Sequence, residues 1–328
     1  MKGVLPRFLV AESETLEQRE QRRAQVGCSS GEAYVNTLRS LAPDAVCDLV
    51  RPSEEGTRVL DRSTLARYDA IFLTGSPLHV YQDTSEVRRQ LAFMRAVFAS
   101  QTPCFGSCAG LQVAVVAAGG VVRENRRGRE VAFARRIVAT EAGRTHPLLA
   151  GRPTVWDAPA IHTDEVERLP PEAVLLACNG LTMVQAAEIR HAGGVFWGVQ
   201  YHPELSLREV AAALCRQADD LVMEGLARDV DAVKDHARRI EALGQEPARR
   251  DLAWQLGLDE QVTNPSLRQI ELRNFIEFLV VPTMAARGRL PVSGKQAGYH
   301  RSAKLLLALK KFQPEHLPSA GRREARLH

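Results

Sequence analysis

The stretch Pro103 to Gly120, PCFGSCAGLQVAVVAAGG, constrains this chain more than any other. A short apolar run, Pro103-Cys104-Phe105, reaches a cysteine flanked two residues away on each side by Gly106 and Gly110, and a wholly apolar segment follows. That pattern reads as a strand turning sharply into a helix. The turn crowds Cys108 against neighbours that must lack side chains. The segment from Leu111 to Ala118 is apolar all round, so the helix it forms lies in the middle of a domain. Its first turn leaves free N–H groups and a partial positive charge beside Cys108, and both favour thiolate over thiol. A packed core cysteine beside a tight turn is the plain alternative.

The elbow sits in a longer alternation. Arg7 to Ala11, Ala45 to Val50, Tyr68 to Thr74 and Pro103 to Gly106 are short, apolar and bounded by turn residues, as buried parallel strands are. Between them lie helical segments at Ser30 to Leu41 and Ser85 to Ser100. The second places Val87, Leu91, Met94 and Val97 on one face. Strand and helix in alternation imply an α/β fold with a doubly wound, mostly parallel sheet. The charged stretch Glu12 to Val26 reads equally as a loop or a solvated helix start. Beyond the buried helix the texture shifts to shorter strands at Gly120 to Arg123, Arg129 to Thr140, Thr154 to His162, Ala173 to Cys178, Val184 to Arg190 and Val195 to Tyr201, partly antiparallel.

From Ser206 the chain turns helical. A helix with Val230, Val233, Ala237, Ile240 and Leu243 on one face is expected to break at Gly244, with further helices at Pro247 to Leu256 and Leu267 to Arg287. Pro282 is expected to kink or end the last. Three regions follow: residues 1–225, a helical appendage at 226–290 that buries its apolar face on the first region or on another subunit, and a basic tail at 291–328. The net charge is +4, yet the residues from Ala286 onward hold ten Lys/Arg against Glu315 and Glu324, so the rest carries 4 − 8 = −4. The tail has few aromatics, which speaks against stacking on nucleic-acid bases. Neither a signal-peptide pattern nor eighteen consecutive apolar residues occurs, so the expected setting is cytoplasmic, with no membrane span. Six cysteines without a C-x-x-C pair, and histidines scattered singly, indicate neither a disulfide framework nor a metal site.

A nucleophilic Cys108 needs a base and a group to orient it. Gly198-Val-Gln-Tyr-His-Pro-Glu supplies both: His202 and Glu204 are two apart, and Pro203 favours an extended backbone that puts them on one side. The carboxylate takes the proton of one imidazole nitrogen and leaves the other for the thiol. A His-Pro pair that merely ends a strand is the alternative. Thr74-Gly75-Ser76-Pro77 follows a strand end, where ligands of such sheets bind. The N–H groups of Gly75 and Ala109 would hold an oxyanion there.

In order, G-S-P at Gly75 to Pro77, G-x-C-x-G-x-Q at Gly106 to Gln112 and Y-H-P-E at Tyr201 to Glu204 resemble the class I (triad) glutamine amidotransferases. The resemblance covers about residues 5 to 225 and is nearest to the glutaminase domain of GMP synthase. Thr140 to Gly151, and His162-Thr163-Asp164 in place of a His-Gly-Asp segment, agree as well. The resemblance implies a flavodoxin-like sheet and attack by Cys108 on the γ-amide of glutamine. It further implies that His202 protonates the ammonia and Glu204 orients His202, through a γ-glutamyl thioester. It also suggests that Gln112, His162 and Gln185 bind substrate, with no cofactor.

The synthetase's Ser-Gly-Gly-Val-Asp-Ser type loop is missing, and no G-x-x-x-x-G-K-[ST] pattern occurs. The first expectation is therefore a glutaminase that releases ammonia for a separate synthase subunit docked through the appendage. The alternative is a free-standing γ-glutamyl hydrolase acting on an amide, amine or peptide, with the appendage covering the site or building a homo-oligomer. A reading of another class is an inactive amidotransferase-fold binding protein with a basic tail.

Overall fold

The structure, a computed structural model, describes residues 4–57 and 60–289. The tail read at 291–328 lies outside them. A nine-stranded sheet runs in the order β2-β1-β3-β4-β11-β10-β9-β6-β7. Its strands are β1 (Arg7–Ala11), β2 (Val46–Val50), β3 (Ala70–Leu73), β4 (Cys104–Ser107), β6 (Phe133–Ala139), β7 (Val155–Pro159), β9 (Ala173–Cys178), β10 (Ala186–His191) and β11 (Gly194–Val199). The first five in spatial order pair in parallel, and the pairings beyond β11 are antiparallel. Only β10 and β6 run against the others, so the sheet is mixed and mostly parallel. A separate antiparallel pair joins β5 (Val121–Glu124) to β8 (Asp164–Arg168). The sequence DEVER conceals β8, because only Val166 marks its buried face.

Alternation along the strands builds two cores. Phe8, Val10, Phe72 and Phe105 point to one face, and Leu9, Ala11, Ile71 and Leu73 to the other. The second face is covered by Ser85–Ser100 and by Ala109–Ala117, whose residues are nearly all buried. The first is covered by Ser30–Leu41, through Tyr34 and Leu38, and by the last helical segment of the described chain. Phe275 of that segment meets Phe72, Phe105 and Trp197 at centroid separations of 5.3, 5.5 and 6.1 Å. These aromatic contacts bury large areas in edge and tilted geometries.

The charged stretch after β1 is the helix Leu16–Val26, opened by a capping box between Thr15 and Gln18. It lacks an apolar stripe because its buried side chains include Arg19 and Arg22, which pair with Glu54 and with Glu209. Two helical expectations need correction. The helix Val230–Gln245 runs through Gly244 rather than breaking there. A Cβ at Gly244 would stand 3.0 Å from Leu207 Cβ, so the glycine serves close packing against the helix Leu207–Arg216. The segment expected as one helix from Leu267 comprises Pro265–Arg268, Ile270–Phe275, a π-helical turn at Ile276–Val280 and Val281–Ala286. The wider turn gives Pro282 room where its ring would meet a carbonyl four residues back.

The helices after residue 226 therefore divide their work. Val233, Ala237, Ile240 and Leu243 form a third core with Leu207, Val210 and Leu214, and Phe275 to Met284 close the first face of the sheet. Among the described residues, no helix is long and apolar enough to cross a membrane.

Candidate active site

Three neighbouring strands of the sheet, β3, β4 and β11, end at the same edge. Gly75, Cys108 and His202 follow those ends, so residues 127 positions apart at the extremes (202 − 75) meet there. Cys108 has φ 52° and ψ −112°, a conformation that a side chain adopts only under constraint, while its N–H donates to Val199 O at 2.8 Å. The flanking glycines have a steric cause. A Cβ at Gly106 would stand 2.8 Å from the Gly110 carbonyl carbon, and one at Gly110 would stand 2.7 Å from Leu73 O. The elbow is thus packed against backbone on both sides.

His202 Nδ1–H donates to Glu204 Oε1 at 2.7 Å, and the ring lines the same cavity as Cys108. All three groups are buried, at 5%, 9% and 8% exposure for Cys108, His202 and Glu204. Burial by itself pushes the imidazole toward neutrality, but the charges of Glu204 and Cys108 outweigh it and hold the ring's pKa up, to about 10. Glu204 Oε2 accepts from Ser107 Oγ at 2.9 Å, and Ser107 Oγ lies 3.3 Å from Tyr34 Oη. Gly75 leaves the ring its space, since a Cβ there would stand 2.6 Å from His202 Cε1. Ala109 opens the helix that follows the thiol.

The remaining residues expected at the site part company. Gln112 donates through Nε2 to Asp164 O at 3.4 Å and to Gln200 Oε1 at 3.3 Å, and it lines a cavity beside Cys108 together with His162. Gln185 lines neither of the cavities that meet at Cys108. Its Nε2 donates to Glu130 Oε2 at 2.6 Å, which places it behind His162 rather than against a substrate. Glu130 gathers His162 Nε2 at 2.8 Å, Asn179 Nδ2 at 2.5 Å and Thr182 Oγ1 at 3.2 Å as well. Burial would raise the Glu130 pKa, but hydrogen bonds from these donors and the His162 ring hold it lowered. Nothing local in Gly128-Arg129-Glu130 signals that role. Ser107, by contrast, stands next to the nucleophile in sequence.

Two cavities meet at Cys108. The smaller, of about 130 Å³, is lined by Gly75, His202 and Glu204 together with Glu14, Tyr34 and Leu205. The larger, of about 380 Å³, is lined by Gln112, His162, Asp164, His79, Arg129 and Asp220. His79 Nδ1 lies 2.8 Å from Asp164 Oδ2 there. Among the described residues, no group of three His, Cys, Asp or Glu side chains could hold a metal ion.

A strained thiol, an imidazole held by a carboxylate and an edge glycine thus stand together at adjoining ends of parallel strands, and the comparisons give the family of the chain. Residues 27–218 match the family described as glutamine amidotransferase class-I, and the chain belongs to that family of hydrolytic enzymes. A γ-glutamyl-L-1-hydroxyisopropylamide hydrolase from a Pseudomonas species is 35% identical over 283 residues, which cover 84% of this chain and 94% of the relative. A GMP synthase from Thermosipho africanus is 32% identical over 137 residues, 42% of this chain and only 24% of the synthase. The fold is shared with a glutamine amidotransferase from Thermotoga maritima, at a TM-score of 0.56 and 15% identity, covering 82% of this chain and 98% of that one.

Proposed function

We propose that the chain is a self-sufficient γ-glutamyl amide hydrolase that splits the γ-glutamyl amide of a small amine into glutamate and the amine. The observation that carries this reading is the extent of likeness to the Pseudomonas hydrolase, 94% of that relative's length, whereas the synthase likeness spans a quarter of its relative. The use of the C-terminal helices supports it. Phe275 and Met284 are spent inside this chain's own core, as are Val233 and Ile240, so those faces are not free to dock a synthase.

In this reading the Cys108 thiolate attacks the γ-carbonyl carbon. The carbonyl oxygen, now negative, is held by the N–H groups of Gly75 and Ala109. As the C–N bond breaks, His202 Nε2 gives its proton to the nitrogen, and the amine departs from a γ-glutamyl thioester. Water then attacks the thioester, gives its proton to His202, and releases glutamate and the thiolate. The sum is amide plus water giving glutamate plus amine. Glu204 orients the ring and stabilises its charge, with Ser107 fixing the carboxylate. The larger cavity is lined by a cation, Arg129, and a carboxylate, Asp164, beside Gln112 and His162, and in this reading it takes the zwitterionic end of the glutamyl group.

The test is glutamate release by the purified chain from γ-glutamyl amides and from glutamine, beside Cys108→Ala. Turnover of an amide at an ordinary enzymatic rate, absent in the variant, supports the reading. Turnover of glutamine alone, and only after a synthase is added, supports instead the glutaminase that feeds a partner. That second reading draws on a glutamine-hydrolyzing GMP synthase subunit from Ignicoccus hospitalis, 30% identical over 142 residues and matched over 70% of its length.

A further inference from the structure

The tyrosine beside His202 is anchored from outside the stretch that matches the family. Tyr201 and Glu271 are both 0% exposed. Tyr201 Oη–H donates to Glu271 Oε1 at 2.8 Å, and Arg152 grips the same carboxylate through Nε at 2.6 Å and Nη2 at 2.7 Å. Arg152 donates in turn to Gln261 Oε1 at 2.8 Å and to Arg268 O at 3.1 Å. Glu271, Gln261 and Arg268 all lie beyond residues 27–218. Burial, and after it the charge of Glu271, push the Tyr201 pKa well up, so the hydroxyl stays a donor.

Stability alone does not ask for such a group. The surrounding core is built of Phe72, Phe105, Trp197 and Phe275, and apolar side chains in place of a buried ion pair are often as stabilising or more so. What a hydrogen bond to a carboxylate adds is direction: a ring held only by packing can slide, whereas this one has its Oη fixed at a point. Tyr201 shares a peptide bond with His202. The backbone on either side is tied as well, Gln200 N–H to Gln185 O at 2.8 Å and His202 N–H to Pro159 O at 2.7 Å. The chain entering His202 is thus held at three points, one of them supplied by the appended helices. Cys108 is fixed separately, by the backbone contacts of its elbow. The aim of the ring at the thiol and at the substrate therefore depends on the Glu271 anchor.

We infer that Glu271 is a positioning residue for His202, acting through the Tyr201 hydroxyl, so that the appended helices bear on catalysis through this one carboxylate. The inference rests on the hydrolase reading, in which His202 protonates the departing nitrogen. A misplacement of about 1 Å at a reacting group can cost about a hundredfold in rate, so the loss of one anchor among three is expected to cost about tenfold.

The experiment compares two substrates in one preparation of the full chain, γ-glutamyl methylamide and γ-glutamyl S-methyl thioester, each against a blank without enzyme. Methylamine must take a proton as it leaves, whereas methanethiolate leaves without one. A misaimed His202 therefore slows attack on the amide and spares the thioester, and an inactive fraction lowers kcat/KM for both alike. Tyr201→Phe, which keeps the Glu271–Arg152 pair, should lower the amide-to-thioester ratio of kcat/KM by about tenfold. Glu271→Gln should lower it in the same direction in whatever fraction folds. Phe275→Ala, on the same helix as Glu271 but without a hydrogen bond to Tyr201, should lower the denaturant midpoint and leave the ratio near wild type. A ratio unmoved by Tyr201→Phe, or lowered equally by Phe275→Ala, would overturn this inference while leaving the hydrolase reading intact. No hydrolysis of the amide by the wild type would remove that reading, and this inference with it.

Discussion

The elbow at Cys108 stands at the edge where β4 ends and the helical turn at Phe275 packs on one face of the same sheet, and each is constrained for a different reason. At the elbow the contacts are with backbone atoms: Leu73 O beside Gly110, and Gly110 itself beside Gly106. Backbone cannot repack, so the sequence there has almost no freedom. At Phe275 the contacts are with the rings of Phe72, Phe105 and Trp197, in a core that other apolar shapes could fill. The first region determines what chemistry is available, and the second whether the sheet presenting it is stable. Helices appended after residue 226 thus complete the domain as well as decorate it.

Substitutions can pull the two regions apart. The largest effect is expected from Cys108→Ala, which should lower glutamate release by about 10⁴-fold or more while leaving the denaturant midpoint close to wild type. A comparable loss of stability would mean that the thiol is a packing residue.

Glu204→Gln comes next, with a fall in kcat of about 10²- to 10⁴-fold. It should also move a pH limb. Despite burial, Glu204 and Cys108 raise the folded pKa of His202 to about 10, above the ordinary value of 6.5. A raised histidine contributes stability that is fully present below the ordinary value and is lost as pH rises through the folded one. Wild-type stability from this group should thus decline between about pH 6.5 and pH 10, and the alkaline limb of activity should lie toward the upper end. In Glu204→Gln both should shift to lower pH, as pH-resolved unfolding and rate profiles would reveal. An unmoved alkaline limb would deny the His202–Glu204 coupling.

Phe275→Ala should destabilise the chain by about 3 to 5 kcal/mol, read by denaturant unfolding, while the activity of the folded fraction at low temperature stays near wild type. Activity lost in advance of stability would tie the two regions together more tightly than packing requires, through Tyr201. That residue precedes His202 and donates to Glu271 Oε1 at 2.8 Å, and Glu271 in turn pairs with Arg152. The smallest effect belongs to Thr15→Ala, which removes the cap of the charged helix and should cost about 1 kcal/mol with no change in kcat.

Much of this arrangement was legible in the order of residues. Gly106, Cys108 and Gly110 mark the elbow because a sharp strand-to-helix turn has few chemical solutions, and His202 and Glu204 stand two apart on an extended backbone. The helix Leu16–Val26 was half legible: its capping box is local, but its buried faces are arginines whose partners, Glu54 and Glu209, come from distant positions. Strand β8 was hidden for the same reason, since Glu165 reads as a surface residue until Arg123 pairs with it. Glu130 and Glu14 carry no local mark at all.

Local sequence was enough to define the pieces of the site, because steric and hydrogen-bonding demands within a few residues admit few alternatives. It was also enough for the parallel half of the sheet, through short apolar runs alternating with helical periods. Long-range packing alone made β3, β4 and β11 neighbours, brought two cavities of different character to one thiol, and set the final helices across the sheet. Those outcomes rest on contacts between residues far apart in the chain, and apolar surface has no address: a buried phenylalanine packs equally well against any face that the rest of the fold leaves open.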